Sequence, residues 1–134
     1  MIHVAKALLF DTNKKILVLR RSESHPRFAN HLDFPGGLVE EDEHSDQAVA
    51  REIDEEVGLK IEDSQLNQVY SKQVNSGHHY MVYQANLDTE TPLITLSWEH
   101  DKYEWVTLKE LLNRELPDGV DDYYLTALEY LQSL

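Results

Sequence analysis

Three glutamates, Glu52, Glu55 and Glu56, fall within five residues of one another. On a helix turning by about 100° per residue, with Glu52 at zero, Glu55 falls at about −60° and Glu56 at about +40°. The three carboxylates then share one face. Like charges at that spacing cost an isolated helix roughly a few tenths of a kcal/mol per pair, and more where burial lowers the local dielectric. A divalent cation would turn the repulsion into attraction, and hard oxygen donors of this kind suit Mg²⁺ or Mn²⁺ rather than Zn²⁺. The alternative is a solvated acidic face that holds nothing.

The elements that must position these groups are legible on either side. Ser45 is a plausible N-cap for a helix over 45–57 that Gly58 ends. Ile53, Val57 and Ala50 give that helix a separate apolar face for the core, and Ala48 is a small neighbour on the carboxylate face. Upstream, residues 2–10 and 16–19 read as strands joined by the turn Asp11–Lys15, and residues 22–33 as an irregular loop. Phe34-Pro35-Gly36-Gly37 is a sharp turn. Downstream, residues 66–74 and 78–87 form a hairpin about Asn75-Ser76-Gly77, and 103–106 is a short strand. Thr107 with Glu110 fits a capping box for a short helix. Asp121 or Asp122 caps a last helix carrying Leu125, Leu128 and Leu131. The order hairpin, helix, hairpin, strand and two helices predicts an α/β sandwich with a mixed sheet.

The chain has 134 residues, the size of one domain (1–134). Lys and Arg total 12 against 25 Asp and Glu, a formal net charge of −13. That balance argues against sequence-independent binding to a nucleic-acid polymer, which needs cations to replace counterions. The charge is uneven: residues 1–32 carry six bases against two acids, and nine acids fall between Glu40 and Glu56 with Arg51 the only Lys or Arg among them. The absence of Cys removes disulfides, thiolate zinc sites and a Cys nucleophile. No apolar run approaches the roughly 20 residues that span a bilayer, and the N-terminal run, broken by Lys6, lacks the pattern of a signal peptide. A cytoplasmic protein without a membrane partner is the expectation.

From Gly37 to Leu59 the chain reads GLVEEDEHSDQAVAREIDEEVGL. Gly37, Glu43, Arg51, Glu52, Ile53, Glu55, Glu56, Gly58 and Leu59 match every fixed position of the box G-x5-E-x7-R-E-U-x-E-E-x-G-U, where U is a bulky aliphatic residue. The chain therefore resembles a Nudix hydrolase over nearly its whole length. The resemblance implies a Nudix-type α/β/α sandwich. It also implies a metal site formed by Glu52, Glu55 and Glu56, with Glu55 able to act through water, and by the backbone carbonyl of Gly36. Arg51 reads as an internal counterion, with Glu43 its candidate partner, that fixes the loop against the helix.

The same resemblance implies hydrolysis of a nucleoside diphosphate linked to another group, with Mg²⁺ neutralising phosphate oxygens and helping to deprotonate water. Arg20 and Arg21 are candidates for a phosphate contact, Arg21 the better match; a solvated strand end is the other reading. Glu99, in Ser97-Trp98-Glu99-His100, is the candidate for general base or extra metal ligand, against a surface acid. Residues 16–37, ILVLRRSESHPRFANHLDFPGG, look like the MutT branch, which cleaves nucleoside triphosphates to the monophosphate and pyrophosphate and favours oxidised guanine. Phe34 would then flank the base or pack in the core. Where that branch reads a purine with Asn, this chain has Asp118 and Asp121, which accept hydrogen bonds without donating an amide N–H. These would read amino groups or cap the helix. Dinucleoside polyphosphates and ADP-ribose are the alternative substrates, and a non-catalytic nucleotide-binding module or an acidic interaction domain the alternative functions. The expected partner is a small nucleotide, and the expected assembly a monomer or homodimer.

Overall fold

The computed structural model describes residues 1–134. Strand β1 (His3–Phe10) shows why the sheet lies in the middle of the molecule. It is buried on both faces, and with side chains alternating at period two it feeds two separate cores. Val4, Leu8 and Phe10 enter one, and Ala5, Ala7 and Leu9 the other. Strand β2 (Ile16–Arg21) alternates in the same way, with Ile16 and Val18 on the first side and Leu17 and Leu19 on the second.

Further strands follow: β3 (Leu32–Asp33), β4 (Gly36–Leu38), β5 (Asn67–Gln73), β6 (His79–Asn86) and β7 (His100–Val106). The main path runs β3-β2-β1-β6-β5, with β4 paired to β1 and β7 to β2. Strands β1 and β6 run parallel and the other pairs antiparallel, so the sheet is mixed. Helix α1 (Ser45–Val57) covers one face with Ala48, Val49, Ile53 and Val57. Helices α2 (Leu108–Leu112) and α3 (Asp122–Gln132) cover the other with Leu111, Tyr123, Tyr124, Ala127 and Leu131. This is the mixed sheet that the element order predicts, in the α/β/α layering that the resemblance implies.

One irregularity shapes the site. Strands β1 and β2 pair through a single register position, Phe10 with Ile16, next to their turn. Beyond it they part: β1 takes β4 as its neighbour from Val4 to Lys6, while β2 takes β3 at Leu19 and Arg20. The wedge between them is where the sequence places a lone Lys, and where the Phe34–Gly37 turn enters the sheet.

Several local expectations are corrected. Ser45 begins α1 rather than capping it; His44 holds the cap position, its N–H donating to Gln47 Oε1 at 3.1 Å, and the Ser45 hydroxyl meets the Tyr83 hydroxyl. Ala48, expected on the carboxylate face, is fully buried, whereas Ala50 is partly buried and packs against the same core. Residues 32–33 are a short strand rather than the end of a loop, and β7 starts at His100, earlier than the Tyr-Glu-Trp-Val run suggests. The hairpin about Asn75–Gly77 and the caps Thr107 (from Glu110 N–H, 3.2 Å) and Asp121 (from Tyr123 N–H, 3.3 Å) match expectation. No helix is long and apolar enough to cross a membrane.

Candidate active site

The turn before α1 is pinned from two sides. Its Pro35 carbonyl accepts from Ala7 N–H at 2.8 Å, and Gly36 N–H donates to Glu56 Oε1 at 2.7 Å. Gly36 has φ +142°, and a Cβ there would fall onto the Ala5 carbonyl, so only glycine lets the turn lie on β1. At Gly37 the reason is different: an added Cβ would come within 2.6 Å of the Glu52 carboxylate carbon. The missing side chain is the space the carboxylate uses.

The acids of α1 have unequal surroundings. Glu56 is buried, at 3% exposure, and burial raises its pKa well above the ordinary carboxylate value, with Lys6 opposing. Glu52 is half-buried; burial raises its pKa too, against the pull of Arg51, and the charges of Glu55 and Glu99 push the same way as burial. Glu55 is the exposed member of the three. Arg51 ties the box together. It makes a two-pronged bond to Glu43 (Nε to Oε2 2.8 Å, Nη2 to Oε1 3.1 Å). It also reaches Glu52 at 3.1 Å, Glu55 at 3.2 Å and the Leu38 carbonyl at 3.1 Å. The bond from Arg51 is the largest cause holding the Glu43 carboxyl below its usual pKa. Glu99, on the loop before β7, is partly exposed, with Oε2 at 3.7 Å from His25 Nε2.

Beneath these acids lies a buried ionic group that spacing alone does not reveal. Asp33 accepts from Lys6 Nζ (3.1 Å), Phe34 N–H (2.9 Å), His100 Nε2 (2.9 Å) and the Tyr123 hydroxyl. Arg21 Nε stands 3.2 Å from Asp33 Oδ2, an ion pair off the line of a hydrogen bond, and Arg21 Nη2 is 3.5 Å from Asp121 Oδ2. Burial alone would push the Asp33 carboxyl up, but Lys6, His100 and Arg21 outweigh it and hold it far below the usual range. The Lys6 ammonium is likewise raised, the pull of Asp33 and Glu56 overcoming burial. The sequence signal for this group is Lys6 itself, the one charge in an otherwise apolar strand interior.

These residues line a cavity of about 160 Å³ that Lys6, Arg21, Asp33, Glu56, Glu99 and Asp121 share with few apolar neighbours. Larger hollows, about 520 Å³ beside Arg20 and about 550 Å³ beside Phe10, contain none of the box glutamates.

The other sequence candidates separate. Glu52, Glu56, Glu99 and Gly36 are brought together. Phe34 is fully buried and stacked on Tyr124 at 5.3 Å between ring centres, so of its two readings the structure supports core packing and corrects the one that flanks a base. Arg20 points away from the cavity and is bound two-pronged to Asp101 at 2.9 and 2.8 Å. Arg21 lines the cavity but is 4% exposed and already committed to two carboxylates. Asp121 caps α3 and lines the cavity, whereas Asp118 is exposed on the preceding loop, outside it. The cation that sequence reasoning passed over is Arg27. It lies on the cavity rim, is exposed, has no carboxylate partner and sits over the Phe28 ring with Nη1 at 3.4 Å from His78 Nδ1. Arg27→Ala should raise KM for an anionic substrate about tenfold and change kcat little, checked by steady-state kinetics at fixed ionic strength.

A hard divalent cation fits the donors gathered here. They are carboxylate oxygens and the Gly36 carbonyl, with no sulfur, and Gly37 leaves room for the Glu52 carboxylate. As the side chains stand, no three carboxylates or imidazoles converge on one point. Arg51 draws Glu52 and Glu55 aside, and the Gly36 N–H holds Glu56.

The layering is a mixed sheet between helices, with the box glutamates beside a glycine turn. The chain belongs to the Nudix hydrolase family: the NUDIX domain matches residues 2–128. Over 58 residues it is 40% identical to 8-oxo-dGTP diphosphatase of Escherichia coli (strain K12), covering 43% of this chain and 44% of that protein. Over 116 residues it is 28% identical to prenyl-diphosphate phosphatase of Methanosarcina mazei, covering 82% and 66%. The chain thus spans less than half the length of the first of these relatives. A crystal structure of a MutT protein from Methanosarcina mazei Go1 superposes with a TM-score of 0.76 at 27% identity, over 98% of this chain and 93% of that one.

Proposed function

We propose that this chain is a Mg²⁺-dependent pyrophosphohydrolase that cleaves a nucleoside triphosphate to the monophosphate and pyrophosphate. The observation that carries the reading is the complete box. Its Glu52 and Glu56 flank the Gly36-Gly37 turn, and Glu99 lines the same cavity as Glu56 and is close enough to Glu52 for its charge to be felt there.

Glu52, Glu56 and the Gly36 carbonyl would hold Mg²⁺ or Mn²⁺, with Glu55 joining through water and Glu99 as a further ligand or as the base. A bound cation of this kind supplies charge neutralisation at phosphate oxygens and acidifies water. The chain's own residues do the rest. Arg51 fixes the carboxylates of α1 against the β4 loop through Glu43. Glu99 takes the proton of the attacking water on a carboxylate oxygen, steadied by His25. Arg27 meets phosphate oxygens at the rim, in the role that the resemblance implies for Arg21.

The small, charged cavity favours a second reading. With Phe34 in the core and the buried cations Lys6 and Arg21 already paired, Arg27 at the rim would hold the diphosphate at the cavity mouth while the rest of the substrate, a prenyl chain on this second reading, stays outside. A hydrolysis panel with Mg²⁺ tests both readings: nucleoside triphosphates including oxidised purines, ADP-ribose, dinucleoside polyphosphates and a prenyl diphosphate, with products identified. Pyrophosphate release from a triphosphate is the expected result. Orthophosphate release would overturn the cleavage position, and turnover of the prenyl diphosphate alone would favour the second reading.

A further inference from the structure

We propose that Lys6 is a positioning residue that aims the Gly36 carbonyl oxygen at the divalent cation; this rests on the reading that the carbonyl faces a cation. An ammonium has three N–H donors. Lys6 Nζ lies 3.1 Å from Asp33 Oδ1, 3.2 Å from the Phe34 carbonyl and 3.3 Å from the Gly36 carbonyl, so all three are in use. None is left for a substrate phosphate, which excludes the plainer role of an anion-binding lysine.

The three carbonyls of the turn are thus shared out along β1. Those of Phe34 and Gly36 go to Lys6, and that of Pro35 goes to Ala7 N–H. Gly36 is in register opposite Lys6, and its own N–H is held by Glu56. The residue that offers the carbonyl is therefore held through both its N–H and its C=O by buried side chains. A carbonyl oxygen has two lone pairs, so one can accept from Lys6 while the other faces outward. A bare ammonium so close would repel a cation, but the Asp33 carboxylate 3.1 Å from Nζ offsets its charge. Lys6 aims the oxygen without adding net charge, which accounts for a lysine with its own buried counterion in an apolar strand.

The test uses the full chain without nucleotide and reads Mn²⁺ affinity from the electron paramagnetic resonance of the free ion. Removing a group that orients a ligand typically weakens metal binding about 10–100-fold. Lys6→Met should do so while the nucleotide KM at saturating metal holds. Because Lys6→Met takes one cation from the buried Asp33, the pair Lys6→Met with Asp33→Asn is run beside it; it removes both charges and should melt closer to wild type with affinity still weakened. Wild-type affinity in either folded variant, or a gain, would overturn the inference and leave Lys6 a mere counterion. A third arm needs no substitution: Mg²⁺ added to the wild-type protein should shift the buried Lys6 ammonium signal in nitrogen-resolved NMR, and a bound cation with an unmoved signal would overturn it equally. If the wild-type protein binds neither ion, the site reading itself fails, and that outcome is distinct from a variant that binds as well as wild type.

Discussion

Glu56→Gln should lower kcat by roughly a thousandfold, about 4 kcal/mol of transition-state stabilisation, while leaving the protein as stable as wild type or more so. The two halves have one cause. The amide oxygen of Gln can still accept from Gly36 N–H, so the turn keeps its anchor. What disappears is an anionic oxygen in a place where burial resists charge. A group whose folded pKa is raised by burial destabilises the fold when ionised, and the neutral isostere removes that cost. Thermal unfolding in metal-free buffer beside single-turnover kinetics reads both. A variant with undiminished turnover would remove Glu56 from the site; a large fall in melting temperature would make it a structural residue.

Asp33→Ala should destabilise the fold by about 3–5 kcal/mol, the usual cost of removing one partner from a buried ion pair. It leaves Lys6 uncompensated, deprives Arg21 of one of its two carboxylates and unpairs His100 Nε2. Urea unfolding measures this, and Asp33→Asn, which keeps shape and loses charge, should fall between. The same carboxyl predicts a pH dependence. Folded Asp33 stays ionised far below the ordinary value, so below about pH 3.9 the unfolded chain takes up a proton that the folded one refuses. Its contribution is complete above that value and is lost progressively as pH falls towards the folded pKa. The stability gap between wild type and Asp33→Asn should therefore narrow between about pH 5 and pH 2; a gap that widens on acidification would refute the assignment.

The box was readable because its spacing is local. Residues 37–59 are the end of β4, a loop and one helix, so sequence distance translates directly into position, and Arg51 bonds to Glu43 as its place in the pattern suggests. The unequal fates of the three glutamates follow from the same wheel once the core is known. Val49, at about +60° by the same arithmetic, is fully buried, which places Glu56 inside the buried arc and leaves Glu55 outside it. The Asp33 group was not readable. It joins β1, β2, β3, β7 and α3 across separations of up to 90 residues, and it exists because two strands part. Arg21 illustrates the difference: the motif marks it for phosphate, but the wedge supplies two carboxylates that claim it.

That wedge also determines which parts of the molecule share a ligand's binding energy. A continuous sheet would separate α1 from α3. Here Glu56 from one layer, Gly36, Lys6 and Asp33 from the sheet, and Tyr123 from the other layer form an unbroken chain of hydrogen bonds through the opening. By linkage, whatever binds more tightly when the turn is ordered also tightens the docking of α3 to the sheet, and loosening α3 weakens binding by the same factor. The C-terminal helix, with none of the box residues, is thermodynamically part of the active site.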